Sequence, residues 1–247
     1  MKDADKFITS PKHQEHPSIT EFVTIILLGE NQGYRMKSYG PMPLLNIENK
    51  TLIEKQVDAI KAVFTNFEII LCCGFEAVKT TEFIRSRFPK VNIRVVENQI
   101  HNHSNCCESL RLCINNTTNN KIIVCSGELL LTPKQLTKID LNVSSVMIQE
   151  NNPIYNLEVG VITSGENLSN MSVGIKTSNW CEILYISNIS MAQQFHAIVS
   201  TIDYKNRLMF EAINEFIKHN KLAIIDSSDC PIVKISNIKT LRRISKS

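Results

Sequence analysis

No CxxC pair and no cysteine–histidine cluster of zinc-finger spacing occurs in this 247-residue chain, although it carries eight cysteines. Cys72, Cys73 and Cys125 lie inside apolar runs, where cysteine acts as a small hydrophobe, so a reducing, intracellular (cytoplasmic) setting is expected. A run of about 18 apolar residues, the minimum for a membrane helix, is missing. The opening MKDADKFITSPKHQEH is polar and has no apolar centre, so no signal peptide is expected. Net charge is only +3, too little to argue for nucleic acid. The one small basic cluster, Lys239, Arg242, Arg243 and Lys246, reads as a solvated helix end. Internal repeats and low-complexity segments are absent. So is a G-x-G-x-x-G turn after the first apolar run, which argues against a dinucleotide-binding module.

What is present is an alternation of strand-like and helix-like runs. Phe22–Leu28, Phe67–Cys72, Val91–Val96 and Lys121–Cys125 read as strands. Between them, 52–63 and 76–88 read as helices, the second stopped by Pro89. A further helix from Ser104 or Asn105 to about Ile114 has Glu108 placed for a capping box. Pro133 opens a short helix at its first turn. This alternation predicts an α/β fold with a mixed, mostly parallel sheet flanked by helices. The ligand crevice belongs at the carboxyl ends of the strands, where the loops 29–41, Gly74, 97–104 and Gly127–Glu128 converge. After Asp140 the pattern changes. Strands are expected at 143–149, 155–163, 171–176 and 181–186, with SGEN at 164–167 as a hairpin turn. Helices follow at 190–199 and 205–220, then strands at 222–226 and 232–235 and a helix at 238–244. The expected organisation is a flexible arm (1–18) and one domain (19–247), divided into an alternating α/β half (19–140) and a β-rich half with C-terminal helices (141–247).

Three segments carry chemistry: LLGENQGYRM with GPMPLL and ENKTLIEKQVDAI; VVENQIHNHSNCCESL; and IIVCSGELLL. In order and spacing, together with IILCCGF, they resemble the nucleotidyltransferases of GT-A type, which activate sugar and alcohol phosphates such as sugar 1-phosphates and phosphocholine. The likeness covers about Phe22–Leu136. It implies transfer of a nucleotidyl group from a nucleoside triphosphate to a phosphorylated acceptor, with Mg²⁺ and release of pyrophosphate. Leu28, Gly29, Gly33 and Gly74 would then line the nucleotide, with Asn105 and Ser109 near the base or acceptor. Arg35 would neutralise the leaving pyrophosphate and Glu128 would hold the metal. Backbone N–H groups of a glycine loop, a guanidinium and a carboxylate-bound metal are what such a charge-dominated reaction needs.

The sequence also departs from that pattern. Glu30 stands at a glycine position, Met42 where P-K-P-L has its lysine, and Glu128 where G-D has aspartate. Ser236 occupies the place of the second metal-binding aspartate, with Asp226 and Asp229 out of register. Lys37 and Lys50 are candidates to replace the missing cation. His101 and His103 read as loop residues. Cys106 and Cys107, at a helix start, are candidates for a lowered thiol pKa. Two readings stay open: an active nucleotidyltransferase, or an inactive relative kept as a binding or structural subunit of an assembly.

Overall fold

The computed structural model describes residues 19–31, 36–117 and 119–244. The proposed arm therefore lies outside the described residues. Nine strands form the main sheet: β1 Val23–Leu28, β2 Phe67–Cys73, β3 Ile93–Glu97, β4 Ile122–Ser126, β5 Ser145–Glu150, β6 Val159–Ser164, β7 Asn167–Val173, β8 Ser178–Ile186 and β9 Ala223–Asp226. Their spatial order is β3-β2-β1-β4-β8-β5-β9-β7-β6, and β6 also pairs with the start of β8. The pairings β1–β2, β1–β4, β2–β3 and β5–β9 are parallel, whereas β7 and β8 run against their neighbours. The sheet is thus mixed with most strands sharing one direction, as the sequence predicts.

Alternation along the central strands sorts the core. Val23, Ile25, Leu27, Ile69, Leu71 and Ile123 face α1 (Leu52–Lys61) and α2 (Ala77–Arg87). Ile26, Leu28, Ile70, Cys72 and Val124 face α3 (Cys106–Ile114), α5 (Ile189–Val199) and α6 (Met209–Phe216). Both faces of the parallel strands are covered, which is why they read as unbroken apolar runs. A short helix α4 (Pro133–Leu136) and a terminal helix α7 (Ile238–Ile244) complete the elements used below. α1 starts with a capping box: Glu54 N donates to Thr51 Oγ1, and Thr51 N donates to Glu54 Oε2. Among the described residues, no helix is long and apolar enough to cross a membrane.

Three expectations need correction. The helix expected over 205–220 starts at Met209, because the preceding backbone is spent on α3. Lys205 O accepts from Asn105 N, and Arg207 O from Cys107 N, satisfying α3's free amides. The strand expected from Tyr155 starts at Val159, since Pro153–Tyr155 makes a 3₁₀ turn. Asn105 does cap α3, accepting from Cys106 N, but no capping box forms, because the Glu108 carboxylate is taken by Arg111 at 2.7 and 2.8 Å.

Candidate active site

A cavity of about 180 Å³ opens at the carboxyl ends of β1 and β4, roofed by β8 and the start of α6. Leu28, Asn105, Ser126 and Glu128 line it, so three of the sequence-predicted residues meet there. Gly29 and Gly74 support it from below. Gly127 N donates to Leu28 O, and a Cβ on Gly127 would lie 2.6 Å from Gly29 Cα. Only glycine permits the ends of β1 and β4 to touch in this way. A Cβ on Gly74 would lie 2.5 Å from His101 Cγ and 2.9 Å from Glu30 O. Ser109 is buried beneath the cavity, where its hydroxyl accepts from Asn98 Nδ2. Gly33 and Arg35 lie outside the described residues.

Two of the three charges at the site, Lys234 and Glu182, come from residues that no sequence motif singled out. Lys234 lies in a two-residue ladder in which Val233 pairs with Leu130 and Lys234 with Leu129. Ile235 N donates to Glu128 O, so the ladder locks the lysine beside Glu128. Three further bonds fix the segment. The Gln149 side chain exchanges hydrogen bonds with Ile232 N and O, and Asn156 Nδ2 donates to Lys234 O. From α1, Gln56 Nε2 donates to Gly127 O and Leu129 O, holding the backbone on either side of Glu128. The result is an ammonium between two carboxylates: Lys234 Nζ is 2.7 Å from Glu182 and 3.4 Å from Glu128. All three are largely buried, at 21, 14 and 11 % side-chain exposure.

Glu182 reaches this position through a break in β8. Pairing with β5 is interrupted between Trp180 and Leu184, and Glu182 has φ 56°, in the left-handed region. At that break β8 leaves β6, its neighbour at Ser178–Asn179, and joins β4, its neighbour over Ile183–Ile186. A non-glycine residue held there costs roughly 1–3 kcal/mol. The bulge re-aims the carboxylate into the cavity.

Burial acts on Glu128 and Lys234 in opposite directions. It pushes the Glu128 carboxyl up, opposed by Lys234 and reinforced by Glu182. It pulls the Lys234 ammonium down, but Glu182 and Glu128 outweigh it and hold the lysine charged above its ordinary value. Glu30 is 3 % exposed, and burial raises its carboxyl to about 7. Its Oε2 has no hydrogen-bond partner among the described residues. Cys106 does not have a lowered pKa: the adjoining Cys107 thiol and burial push it well up.

The other candidates for a missing cation do not reach the cavity. Met42, at the lysine position, is 1 % exposed and packs with Met36, Leu45, Ile47 and Leu52 in a separate apolar cluster. Lys50 pairs with Asp58 at 2.5 Å on the surface, and Lys37 is exposed. Asp229 is exposed and held by Lys134 and Lys138.

A divalent metal does not fit these residues as they stand. The place between Glu128 and Glu182 holds an ammonium, and a second cation there would be repelled. Ser236 offers no charge. Among the described residues, no set of three His, Cys, Asp or Glu side chains is close enough to hold a metal ion.

No family model matches the chain, and no curated protein matches it by sequence. By structure it is similar to the inositol-1-phosphate CTP transferase from T. maritima (TM-score 0.72, 12% identity, 90% of this chain and 95% of that one). It is also similar to the CTP:phosphocholine cytidylyltransferase from Streptococcus pneumoniae (0.71, 14%, 91% and 98%). A third similar structure is the nucleoside-diphosphate-sugar pyrophosphorylase from Vibrio cholerae RC9 (0.69, 11%, 91% and 100%). The chain therefore has the fold of the nucleotidyltransferases along nine-tenths of its length, and at these identities the likeness is one of fold.

Proposed function

We propose that this protein is a nucleotidyltransferase-fold binding subunit: it holds a small polar ligand in the strand-end cavity and does not run metal-dependent nucleotidyl transfer. The observation that carries this reading is Lys234, whose ammonium fills the space between Glu128 and Glu182. Transfer at an α-phosphate needs charge neutralised as pyrophosphate leaves, and positioned cations supply most of the rate. Here an ammonium fills the place where the resemblance puts the metal, the lysine of the resembling loop motif is a core methionine, and Glu128, Glu158 and Glu182 surround a single lysine among the described lining residues. A nucleoside triphosphate is disfavoured by that charge. It is disfavoured again by size, since cavities for ligands of its bulk run to about 300 Å³ or more.

The ligand class that suits the walls is a small, uncharged polyhydroxy compound. Asn31, Asn105 and Ser126 offer donors and acceptors, the carboxylates accept hydroxyl protons, and Leu28, Val159 and Trp180 cover carbon faces. Thermal shift of the full chain with free inositols and sugars, beside the four triphosphates with Mg²⁺, tests the reading. Binding at 100 times Kd adds about 2.7 kcal/mol of stability. Stabilisation by an uncharged polyol alone supports it, and stabilisation by a triphosphate only when Mg²⁺ is present overturns it.

One observation favours a second reading, an active transferase acting on a sugar or alcohol phosphate. Glu128 keeps a carboxylate at the end of β4, where the resemblance places the metal ligand. In that reading Arg35 carries the pyrophosphate charge and the cytoplasmic NTP pool supplies the donor.

A further inference from the structure

Resting on the reading above, we propose that Lys234 is a resident cation standing in for a divalent metal, and that Glu128 and Glu182 beneath it form a latent metal site which the lysine keeps closed. The two carboxylates come from distant parts of the chain: one from the β4 end, the other from a break in β8. Each is independently fixed on Lys234. Glu128 is held by the ladder to Val233–Lys234 and by Gln56 on both flanks. Glu182 is held in a left-handed backbone conformation that serves no ladder hydrogen bond and aims its carboxylate at the ammonium. An ammonium carries one positive charge and three N–H donors, so it bridges the carboxylate pair and offsets one of its two charges, without coordinating oxygen as a metal does. A hard divalent ion offsets both charges and coordinates oxygen, and needs only one or two protein carboxylates with water completing its shell. The difference between a closed, metal-free pair and a divalent site at this place is therefore one side chain.

The backbone around the pair is also prepared to survive the change. Ile235 N to Glu128 O, Asn156 Nδ2 to Lys234 O and the Gln149–Ile232 bonds all involve main-chain atoms on the lysine's strand. Removing the ammonium leaves them in place. Two carboxylates without their cation then repel, and a bound divalent ion relieves the repulsion.

The test is a Mn²⁺ titration of the full chain, read by electron paramagnetic resonance and by thermal shift, with no nucleotide present. The proteins are the wild type, Lys234→Ser and Lys234→Ser with Glu128→Gln. Expected are no saturable Mn²⁺ site in the wild type, one site at least tenfold tighter in Lys234→Ser, and its loss in the double variant. Should Lys234→Ser fail to fold, Lys234→Gln, a shorter neutral side chain that keeps an N–H donor, takes its place. A saturable site in the wild type that Glu128→Gln weakens would overturn the proposal, because the lysine would then yield to metal. A folded Lys234 variant with no gain would overturn it too. Neither result depends on whether a ligand or a triphosphate binds, so this proposal and the proposed function fail separately.

Discussion

Glu182 stands in the left-handed backbone region with its carboxylate 2.7 Å from the Lys234 ammonium. A bulge in an otherwise apolar strand costs stability, and so does burying a lysine. The pair explains both: the strained residue supplies the partner that keeps the buried cation charged, and Glu128 supplies the second. What the fold elsewhere supports with glycine contacts and backbone ladders is here one ammonium held between two carboxylates.

Taking away the cation leaves two buried carboxylates facing each other. Lys234→Met is expected to destabilise the protein by about 3 kcal/mol, as removal of one partner from a buried pair does. In a Glu128→Gln, Glu182→Gln background the same substitution costs much less, since no uncompensated charge remains. Urea denaturation of the variants measures both.

Glu30 imposes a pH dependence of definite sign. Its carboxyl titrates near 7 when folded, against an ordinary 4.5, because burial disfavours the charge. Between these values the folded protein holds a proton that the unfolded chain releases. Stability therefore falls as pH rises through that window and levels off above about 7, by an amount on the order of 3 kcal/mol. Glu30→Gln removes this fall and is the more stable protein at pH 8. Denaturation midpoints of both proteins from pH 4.5 to 8 check it; a parallel decline in the variant contradicts it.

Gly127→Ala drives a methyl group against Gly29 Cα at 2.6 Å and Leu28 O at 2.7 Å. Both are backbone atoms at strand ends and cannot turn aside. A loss of about 1–3 kcal/mol is expected, with the register around Glu128 disturbed. Guanidinium unfolding gives the loss, and the amide signals of Leu28 and Glu128 report the shift.

Placing a lysine at position 42, where the resembling motif has one, is not expected to bring a cation to the cavity. Met42 packs among Met36, Leu45, Ile47, Leu52 and Leu241 at 1 % exposure. Met42→Lys buries an ammonium with no partner there, so a loss of about 3 kcal/mol or more is expected. Thermal and urea unfolding test this, and a variant as stable as the wild type would show that the side chain escapes the cluster.

The fold was legible because alternation and run length are local properties. Phe67–Cys73 and Ile122–Ser126 show their burial in the identity of each residue. The sequence places this strand only from 171 because Asn167, Ser169 and Asn170 are polar; hairpin pairing of Asn167, Leu168 and Asn170 with β6, rather than an apolar run, starts β7 at Asn167. The site was half legible. Leu28, Gly29, Asn105 and Glu128 could be placed by motif order. Lys234, Glu182 and Gln56 could not, since their meeting depends on a two-residue ladder, a bulge and a helix face that no local pattern encodes. They did leave one signal. Each is a lone polar residue inside an apolar run, in IVKI, CEIL and the buried stripe of α1, and such a residue must find a buried partner.

The measurement that bears most directly on the central claim is pyrophosphate release with Mg²⁺ from each of the four triphosphates and a panel of sugar and choline phosphates, run on the wild type beside Glu128→Ala and Arg35→Ala. No acceptor-dependent release from the wild type is predicted. Release that requires an acceptor and is abolished in both variants would contradict the account and establish an active nucleotidyltransferase.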